Sequence, residues 1–146
     1  EQIELVWQKA RLPTYADLRA LCEDLAPVER ESDKKIRIAL VDDVLTTGAT
    51  KYEALALLRS LIVDVSFPAL VIAVDRQELG DDGLDASTRF SGETGVGVHP
   101  VVRMTEILDH LRATDRLDES SRRAAADYLA RFGTNDAKTW ASANAT

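Results

Sequence analysis

The residues of this sequence best suited to chemistry lie between Asp42 and Thr50. Two adjacent carboxylates, Asp42 and Asp43, can accept hydrogen bonds from the vicinal hydroxyls of a sugar. Gly48 can adopt a positive φ and lets the backbone approach a phosphate closely. Hydroxyl donors to phosphate oxygens are available from Thr46, Thr47 and Thr50. These residue types and their spacing predict a site for a sugar phosphate.

A predicted strand and a predicted helix flank this stretch. Ile36 to Val41 is a nearly continuous apolar run, typical of a strand buried in a parallel sheet, and we expect it to end at the acidic pair. A turn over 44–50 leads into a helix from about Lys51 to Ile62, whose N-terminus would attract an anion. The expected inward face of this helix consists of Ala54, Leu55, Leu57, Leu58 and Leu61.

An ordinary turn is the alternative explanation of the same residues. Paired Asp residues can cap a turn, and Thr-Thr-Gly is common in loops. We favour the functional interpretation because the strand, the acids, the loop and the helix follow in fixed order within about twenty residues.

The rest of the pattern predicts an α/β fold with a parallel sheet. Phe67 to Val74 is a second buried strand, joined to the first by a right-handed connection. The loop from Asp75 to Gly83 should leave the same carboxyl edge of the sheet, where ligands bind in such folds. The later predicted elements are a strand at about 96–102, a helix capped by Thr105 that runs to Leu111, a helix from Arg122 to Phe132 that stops at Gly133, and a loosely held polar tail over 134–146.

Composition excludes several classes of function. The 146 residues fit one domain, and the net charge of −7 argues against non-specific nucleic-acid binding. No apolar run approaches the ~18 residues of a membrane span. Cys22 is the single cysteine, which excludes an intramolecular disulfide and a cysteine-based metal site. His99 and His110 are isolated, so we interpret both as structural or surface residues.

Ile38 to Thr50 resembles the phosphoribosyl diphosphate (PRPP) signature of type I phosphoribosyltransferases. The resemblance implies a Rossmann-like parallel-sheet core, with Mg²⁺ entering together with PRPP. It also implies that Asp42 and Asp43 bind the ribose hydroxyls. The phosphate role falls to Thr46, Thr47, Gly48, Ala49 and Thr50.

Within that family, the chain most resembles the C-terminal half of orotate phosphoribosyltransferase. Residues 71–80 are similar to the Asp-Arg-Gln-Glu segment of that enzyme, and the resemblance implies that Arg76 binds the orotate carboxylate. From the residues alone, a surface ion pair of Arg76 with Asp75 or Glu78 is an equal alternative. The implied reaction converts orotate and PRPP to orotidine 5′-phosphate and diphosphate, a step of pyrimidine nucleotide synthesis. Weaker similarity over 97–108 and 124–133 extends the match to about residues 36–133.

The family's N-terminal half does not resemble residues 1–35. That half supplies a diphosphate loop, a hood over the base and a mobile basic loop, whereas residues 1–35 read as two short helices and a polar loop, and the first glycine is Gly48. We therefore expect a helical segment over 1–35, a phosphoribosyltransferase-like domain over 36–133 that is truncated at its N-terminal half, and a polar tail over 134–146. No catalytic residue is assigned.

Three hypotheses of function remain open. The chain is part of an active orotate phosphoribosyltransferase, an inactive subunit with a structural role in a larger assembly, or a regulator that senses PRPP. A homodimer is the default expectation, and a partner chain could instead cover the missing half. The compartment is cytoplasmic by default, and the absence of an initiator Met leaves an organelle matrix open. Apolar residues expected to pack on the sheet or on a partner are Val6, Trp7, Leu18, Leu21 and Leu25.

Overall fold

The computed structural model describes residues 36–145. The predictions for residues 1–35, including the two short helices and the packing of the apolar residues Val6, Trp7, Leu18, Leu21 and Leu25, lie outside the described residues. In chain order the elements are β1 (Ile36–Arg37), β2 (Leu40–Val44), α1 (Ala49–Leu61), β3 (Val65–Ser66), β4 (Ala69–Asp75), α2 (Ala86–Thr94), β5 (Gly97–Arg103), α3 (Met104–Ala113), α4 (Glu119–Phe132) and α5 (Asn135–Asn144). None of the helices over residues 36–145 has the length and the hydropathy of a transmembrane span.

The chain divides into two compact units, and the described part of the first comprises residues 36–37 and 50–66. In this unit, β1 pairs in parallel with β3. Helix α1 buries Leu55 and Leu58, and Ile62 just beyond it is 3% exposed. The predicted inward residue Leu61 is instead 36% exposed. The buried face of a helix repeats every three to four residues. In α1 it continues from Leu58 to Ile62, so Leu61 lies on the exposed side.

The second unit, residues 38–49 and 67–145, contains a three-stranded sheet in the order β2-β4-β5. Both pairs of neighbouring strands are parallel, with Val44 opposite Val74 and Val74 opposite Val102. The α/β class with a parallel sheet is therefore confirmed. Parallel neighbours require a crossover, because a tight hairpin can join antiparallel strands only.

The two faces of this sheet differ in burial. Leu70 and Ile72 are 0% and 1% exposed, whereas Val41 and Val101 on the opposite face are each 75% exposed. The prediction of one buried strand from Ile36 to Val41 is wrong. The apolar run is shared between two sheets, since β1 pairs with β3 while β2 pairs with β4. An apolar run shows no period that could reveal such a break.

The predicted loosely held tail after Gly133 is also wrong, because Asn135–Asn144 forms helix α5, which packs against α4. Thr134 caps the helix by accepting a hydrogen bond from the Ala137 N–H. The small residues that suggested a tail are the ones that allow close packing, since Ala137 and Ala141 are 0% and 1% exposed. A Cβ at Gly133 would collide with the carbonyl oxygen of Leu129 and would lie 2.8 Å from the Cβ of Ala137. The apolar cluster beneath this pair of helices contains Leu108, Ala126, Leu129, Ala137 and Ala141.

Three helix starts differ from the predictions. Helix α2 was not predicted, although Asp85 caps it by accepting from the Thr88 N–H at 2.9 Å. The cap assigned to Thr105 is wrong, because α3 begins at Met104 and the Arg103 N–H donates to the Glu106 carboxylate at 2.7 Å. Helix α4 begins at Glu119 rather than Arg122, since the Asp118 side chain caps it. In each case a polar side chain that satisfies free N–H groups sets the boundary.

Candidate functional site

The acidic pair lies inside β2, near its carboxyl end. The strand continues to Val44, so the prediction that it ends at the pair is wrong by one residue or two. Asp42 is half-buried and Asp43 is exposed. Because successive side chains of a strand point to opposite faces, the two carboxylates leave opposite faces of the sheet. The Asp43 N–H donates to Asp42 Oδ1 at 2.8 Å, and the Val44 N–H donates to Asp43 Oδ1 at 2.6 Å.

The predicted phosphate loop is shorter than expected, running from Leu45 to Gly48. Leu45 is 7% exposed and anchors the loop, whereas Thr46 and Thr47 are exposed. Gly48 is buried and has φ 75°, which confirms the predicted positive φ and favours glycine there.

Helix α1 begins directly after this loop. Its first two residues are Ala49 and Thr50, so Thr50 belongs to the helix and not to the loop. The N–H groups of a first helical turn have no partner within the helix, and the helix dipole favours an anion at this end. The backbone at Gly48 and Ala49 therefore has the character of an anion site.

The second candidate loop leaves the same edge of the sheet. Val44 lies opposite Val74 in parallel register, and β4 ends at Asp75. The chain after Val44 and the chain after Asp75 therefore emerge side by side. The prediction that both loops share the carboxyl edge is confirmed.

Gln77 fastens the second loop to its surroundings. This residue is 4% exposed and has φ 55°, a rare value for a residue other than glycine. Its N–H donates to Asp75 Oδ1 at 2.8 Å, and its carbonyl accepts from the Thr134 N–H at 2.8 Å. Its side-chain Oε1 accepts from the Thr105 N–H at 3.0 Å. Arg76 is therefore carried on a backbone held to both α3 and α5.

The Arg76 guanidinium pairs with a carboxylate two residues away. Nη2 of Arg76 donates to Glu78 Oε1 at 2.7 Å, and the Tyr128 hydroxyl donates to the same oxygen at 2.9 Å. The bond to Glu78 raises the pKa of Tyr128 above its usual value, because it stabilises the protonated phenol. The surface ion pair that the sequence left open is thus present. With the Arg76 side chain 40% exposed, the pair contributes little to stability.

A small cavity lies beside this ion pair. Its volume is about 130 Å³, well below the roughly 300–1,000 Å³ of typical ligand pockets. Its walls are formed by Arg76, Glu78, Met104, Leu108, Ala125, Tyr128 and Leu129. The cavity is too small to hold a nucleotide, but it presents the Arg76 guanidinium at an apolar rim.

The two histidines lie at the surface of the described part of the chain. His99 and His110 are both exposed, which agrees with their interpretation as surface residues. Over residues 36–145, no group of three or more His, Cys, Asp or Glu side chains could hold a metal ion.

Two residues of this region were not found from the sequence. Tyr128 lies in a helix whose spacing indicates only an amphipathic element, so nothing marks its hydroxyl as a partner of Glu78. Gln77 belongs to the segment that was singled out, but its positive φ could not be read from a residue type that rarely adopts it.

Comparison with known proteins identifies relatives of part of the chain. No family model matches the sequence. Orotate phosphoribosyltransferase from Methylococcus capsulatus is 32% identical over 97 residues, which cover 66% of this chain and 44% of that protein. The enzyme of the same name from Saccharolobus solfataricus is 39% identical over 93 residues, or 64% of this chain and 43% of that protein. The chain thus spans less than half the length of these curated relatives.

A solved structure shows the same fold. The crystal structure of orotate phosphoribosyltransferase from Francisella tularensis matches with a TM-score of 0.55 at 19% identity, covering 84% of this chain and 83% of that chain. The parallel sheet, the loop with positive φ at Gly48 and these similarities agree. The chain therefore has the type I phosphoribosyltransferase fold, and its sequence resembles the C-terminal half of orotate phosphoribosyltransferases.

Proposed function

We propose that the chain binds PRPP, or a nucleotide with a ribose 5-phosphate, as the phosphoribosyl-binding part of an orotate phosphoribosyltransferase. The observation that carries this proposal is the join between β2 and α1. Two carboxylates near a strand end, a glycine with φ 75° and a helix N-terminus follow one another within nine residues, Asp42 to Thr50. Acceptors for sugar hydroxyls are therefore followed by donors for a phosphate. A ribose 5-phosphate carries its hydroxyls and its phosphate in the matching order.

The individual roles follow from exposure and position. The backbone at Gly48 and Ala49 would hold the 5-phosphate, helped by the exposed hydroxyls of Thr46 and Thr47. Thr50 would contribute from the first turn of α1. A ribose lying across the end of β2 would meet both acids even though they leave opposite faces. The exposed Asp43 would be the first contact and the half-buried Asp42 the second.

Arg76 would bind the orotate carboxylate. It follows β4 at the edge from which the phosphate loop also emerges. Its planar guanidinium matches a carboxylate in a bidentate manner. The bond to Glu78 uses one of the five N–H donors, so the pair is compatible with a ligand.

Mg²⁺ would enter with PRPP. This ion keeps several water ligands and is usually held by one or two carboxylates together with substrate phosphates. Asp42 and Asp43 could supply such carboxylates, and the ligand would supply the remaining oxygens. When bound, the ion would offset the negative charge of the diphosphate. The two carboxylates therefore fit a metal that is carried by the substrate.

A structural subunit of a larger assembly is the second candidate function. The observation that favours it is the exposed sheet face bearing Val41 and Val101, each 75% exposed. Parallel sheets are normally covered on both faces. In this second candidate function, a second copy of the chain or a partner chain would bury this face, either directly or together with the apolar residues of segment 1–35. A role as a sensor of PRPP would use the same site without the reaction.

Calorimetric titration with PRPP and Mg²⁺ tests the proposal. The informative variant is Asp42→Asn/Asp43→Asn, and Asp127→Asn/Asp136→Asn is a matched control that removes two exposed charges elsewhere. We expect micromolar binding, about −8 kcal/mol, for the wild type and the control but not for the informative variant. If the wild type does not bind, the phosphoribosyl site is wrong and the structural subunit becomes the better proposal. Equal binding by all three proteins would place PRPP elsewhere.

A further inference from the structure

Glu78 is held in place from three directions. The Tyr128 hydroxyl donates to its Oε1 at 2.9 Å, and its side chain is only 25% exposed. The residue after it is fixed as well, because the Leu79 N–H donates to the Phe132 carbonyl at 2.8 Å. On the other side, the buried Gln77 ties the backbone to α3 and α5. The Glu78 carboxylate is therefore a firm acceptor on a short, anchored segment.

Arg76 takes its orientation from this acceptor. An arginine side chain that is 40% exposed has many rotamers, and a single bond of 2.7 Å to an anchored oxygen restricts them. The bond comes from Nη2, which leaves the other guanidinium donors for a second acceptor. An oriented binding group loses less freedom when the ligand arrives, so a preorganised site binds more tightly.

We propose that Glu78 and Tyr128 are positioning residues that orient the Arg76 guanidinium for the carboxylate of a nucleobase, so that α4 contributes to base specificity. This inference rests on the proposed function, because it takes Arg76 as the residue that binds the base. Tyr128 acts through Glu78 and Glu78 acts through Arg76. Neither residue needs to touch the ligand. The hydrogen bond from Tyr128 also disperses the negative charge of Glu78, which limits the repulsion that this carboxylate exerts on an incoming anion.

Two nucleotides separate this role from general binding. Orotidine 5′-phosphate carries a carboxylate on its base, and uridine 5′-phosphate is the same nucleotide without it. The ratio of their dissociation constants therefore reports the contribution of the carboxylate alone. Calorimetry on the full chain measures both constants, and thermal unfolding verifies that each variant is folded.

The informative variant is Tyr128→Phe, which removes one hydroxyl and leaves every charge in place. We expect the wild type to bind orotidine 5′-phosphate about tenfold or more tightly than uridine 5′-phosphate. The reason is that uridine 5′-phosphate lacks the carboxylate that forms a charge-assisted bidentate pair with Arg76. Arg76→Gln should abolish this preference. Tyr128→Phe should lower it about threefold while the affinity for uridine 5′-phosphate stays unchanged. Phe132→Leu is the matched control, because its ring contacts Tyr128 at a centroid distance of 5.0 Å, and it should keep the wild-type preference.

A spectroscopic measurement tests the contact without any ligand. In ultraviolet titration, the group that Tyr128→Phe removes should have a raised pKa in the wild type, and Glu78→Gln should return the pKa of that group toward its usual value. This dependence reports the contact between Tyr128 and Glu78, and the ratio of the two nucleotide affinities reports the effect of that contact on Arg76. If that titration is unchanged in the variant, the positioning contact does not exist and the inference is wrong.

The outcomes distinguish this inference from the proposed function. If Arg76→Gln abolishes the preference but Tyr128→Phe leaves it unchanged or raises it, the proposed function stands and the positioning role is wrong. A rise would mean that Glu78 competes with the ligand for Arg76. If the wild type shows no preference between the nucleotides, the assignment of Arg76 fails and this inference fails with it, whatever the result with PRPP.

Discussion

Replacing Gln77 by alanine should loosen the loop that carries Arg76. The side chain of Gln77 is buried, and its Oε1 accepts a hydrogen bond of 3.0 Å from the Thr105 N–H in the first turn of α3. Alanine removes this acceptor but keeps the backbone, including the bonds to Asp75 and Thr134. The substitution therefore isolates the contribution of one buried side-chain amide.

Two contributions set the magnitude. An N–H left without a partner in a partly buried place costs about 1–3 kcal/mol. The lost methylene adds about 0.8 kcal/mol of apolar burial. We expect Gln77→Ala to lower the free energy of unfolding by about 3 kcal/mol.

Gln77→Gly is the matched variant, because it removes the same amide and also relieves the backbone. At φ 55° an L-residue is strained by about 1–2 kcal/mol relative to glycine. Part of this gain is offset by the greater freedom of glycine in the unfolded chain. Gln77→Gly should therefore be more stable than Gln77→Ala by about 1 kcal/mol, yet less stable than the wild type.

Equilibrium urea unfolding followed by circular dichroism measures these differences. With an m value of about 1.5 kcal/mol/M, a loss of about 3 kcal/mol lowers the urea midpoint by about 2 M. A loss of less than about 0.5 kcal/mol in Gln77→Ala would mean that the buried bond to Thr105 is unimportant for stability. If Gln77→Gly is less stable than Gln77→Ala, the backbone strain at φ 55° is absent.

Three further predictions concern residues away from Arg76. Gly133→Ala should lower the thermal midpoint and cost about 1–3 kcal/mol, because the new Cβ would lie 2.8 Å from that of Ala137; an unchanged midpoint would contradict the close packing of α4 and α5. Hydrogen bonds from Ser120 and Ser121 lower the pKa of Asp118, so its stabilising contribution is present above about pH 4 and is lost as the pH falls. The thermal unfolding midpoint of the wild type should therefore fall below about pH 4. A fall of the same size in Asp118→Asn would rule out the Asp118 cap as its cause. Gly48→Ala should weaken PRPP binding in calorimetry, because φ 75° strains any side chain, and full affinity would mean that the loop adapts.

The join between β2 and α1 could be predicted closely because its conformation depends mainly on residues that are neighbours in the sequence. The residue types in this segment restrict the local backbone conformation, as a glycine before a helix does. They also determine which ligand groups can bind, as the hydroxyl residues and the paired acids do. The positive φ of Gly48 and the shared edge of the two loops were therefore predicted correctly. The α/β class with parallel strands followed from apolar runs that alternate with a helical period.

Tertiary structure decided the features that depend on residues distant in sequence. Whether Ile36 to Val41 formed one strand or two depended on which partners paired with it, and β3 and β4 each took a part. The small residues after Gly133 form a helix that packs closely against α4, where Ala137 and Ala141 are almost completely buried. Tyr128 reached Glu78 across 50 positions of the chain. Local rules determined which groups this chain carries at its candidate site, and packing between distant segments determined how Arg76 is held, because such contacts form only once the helices are in place.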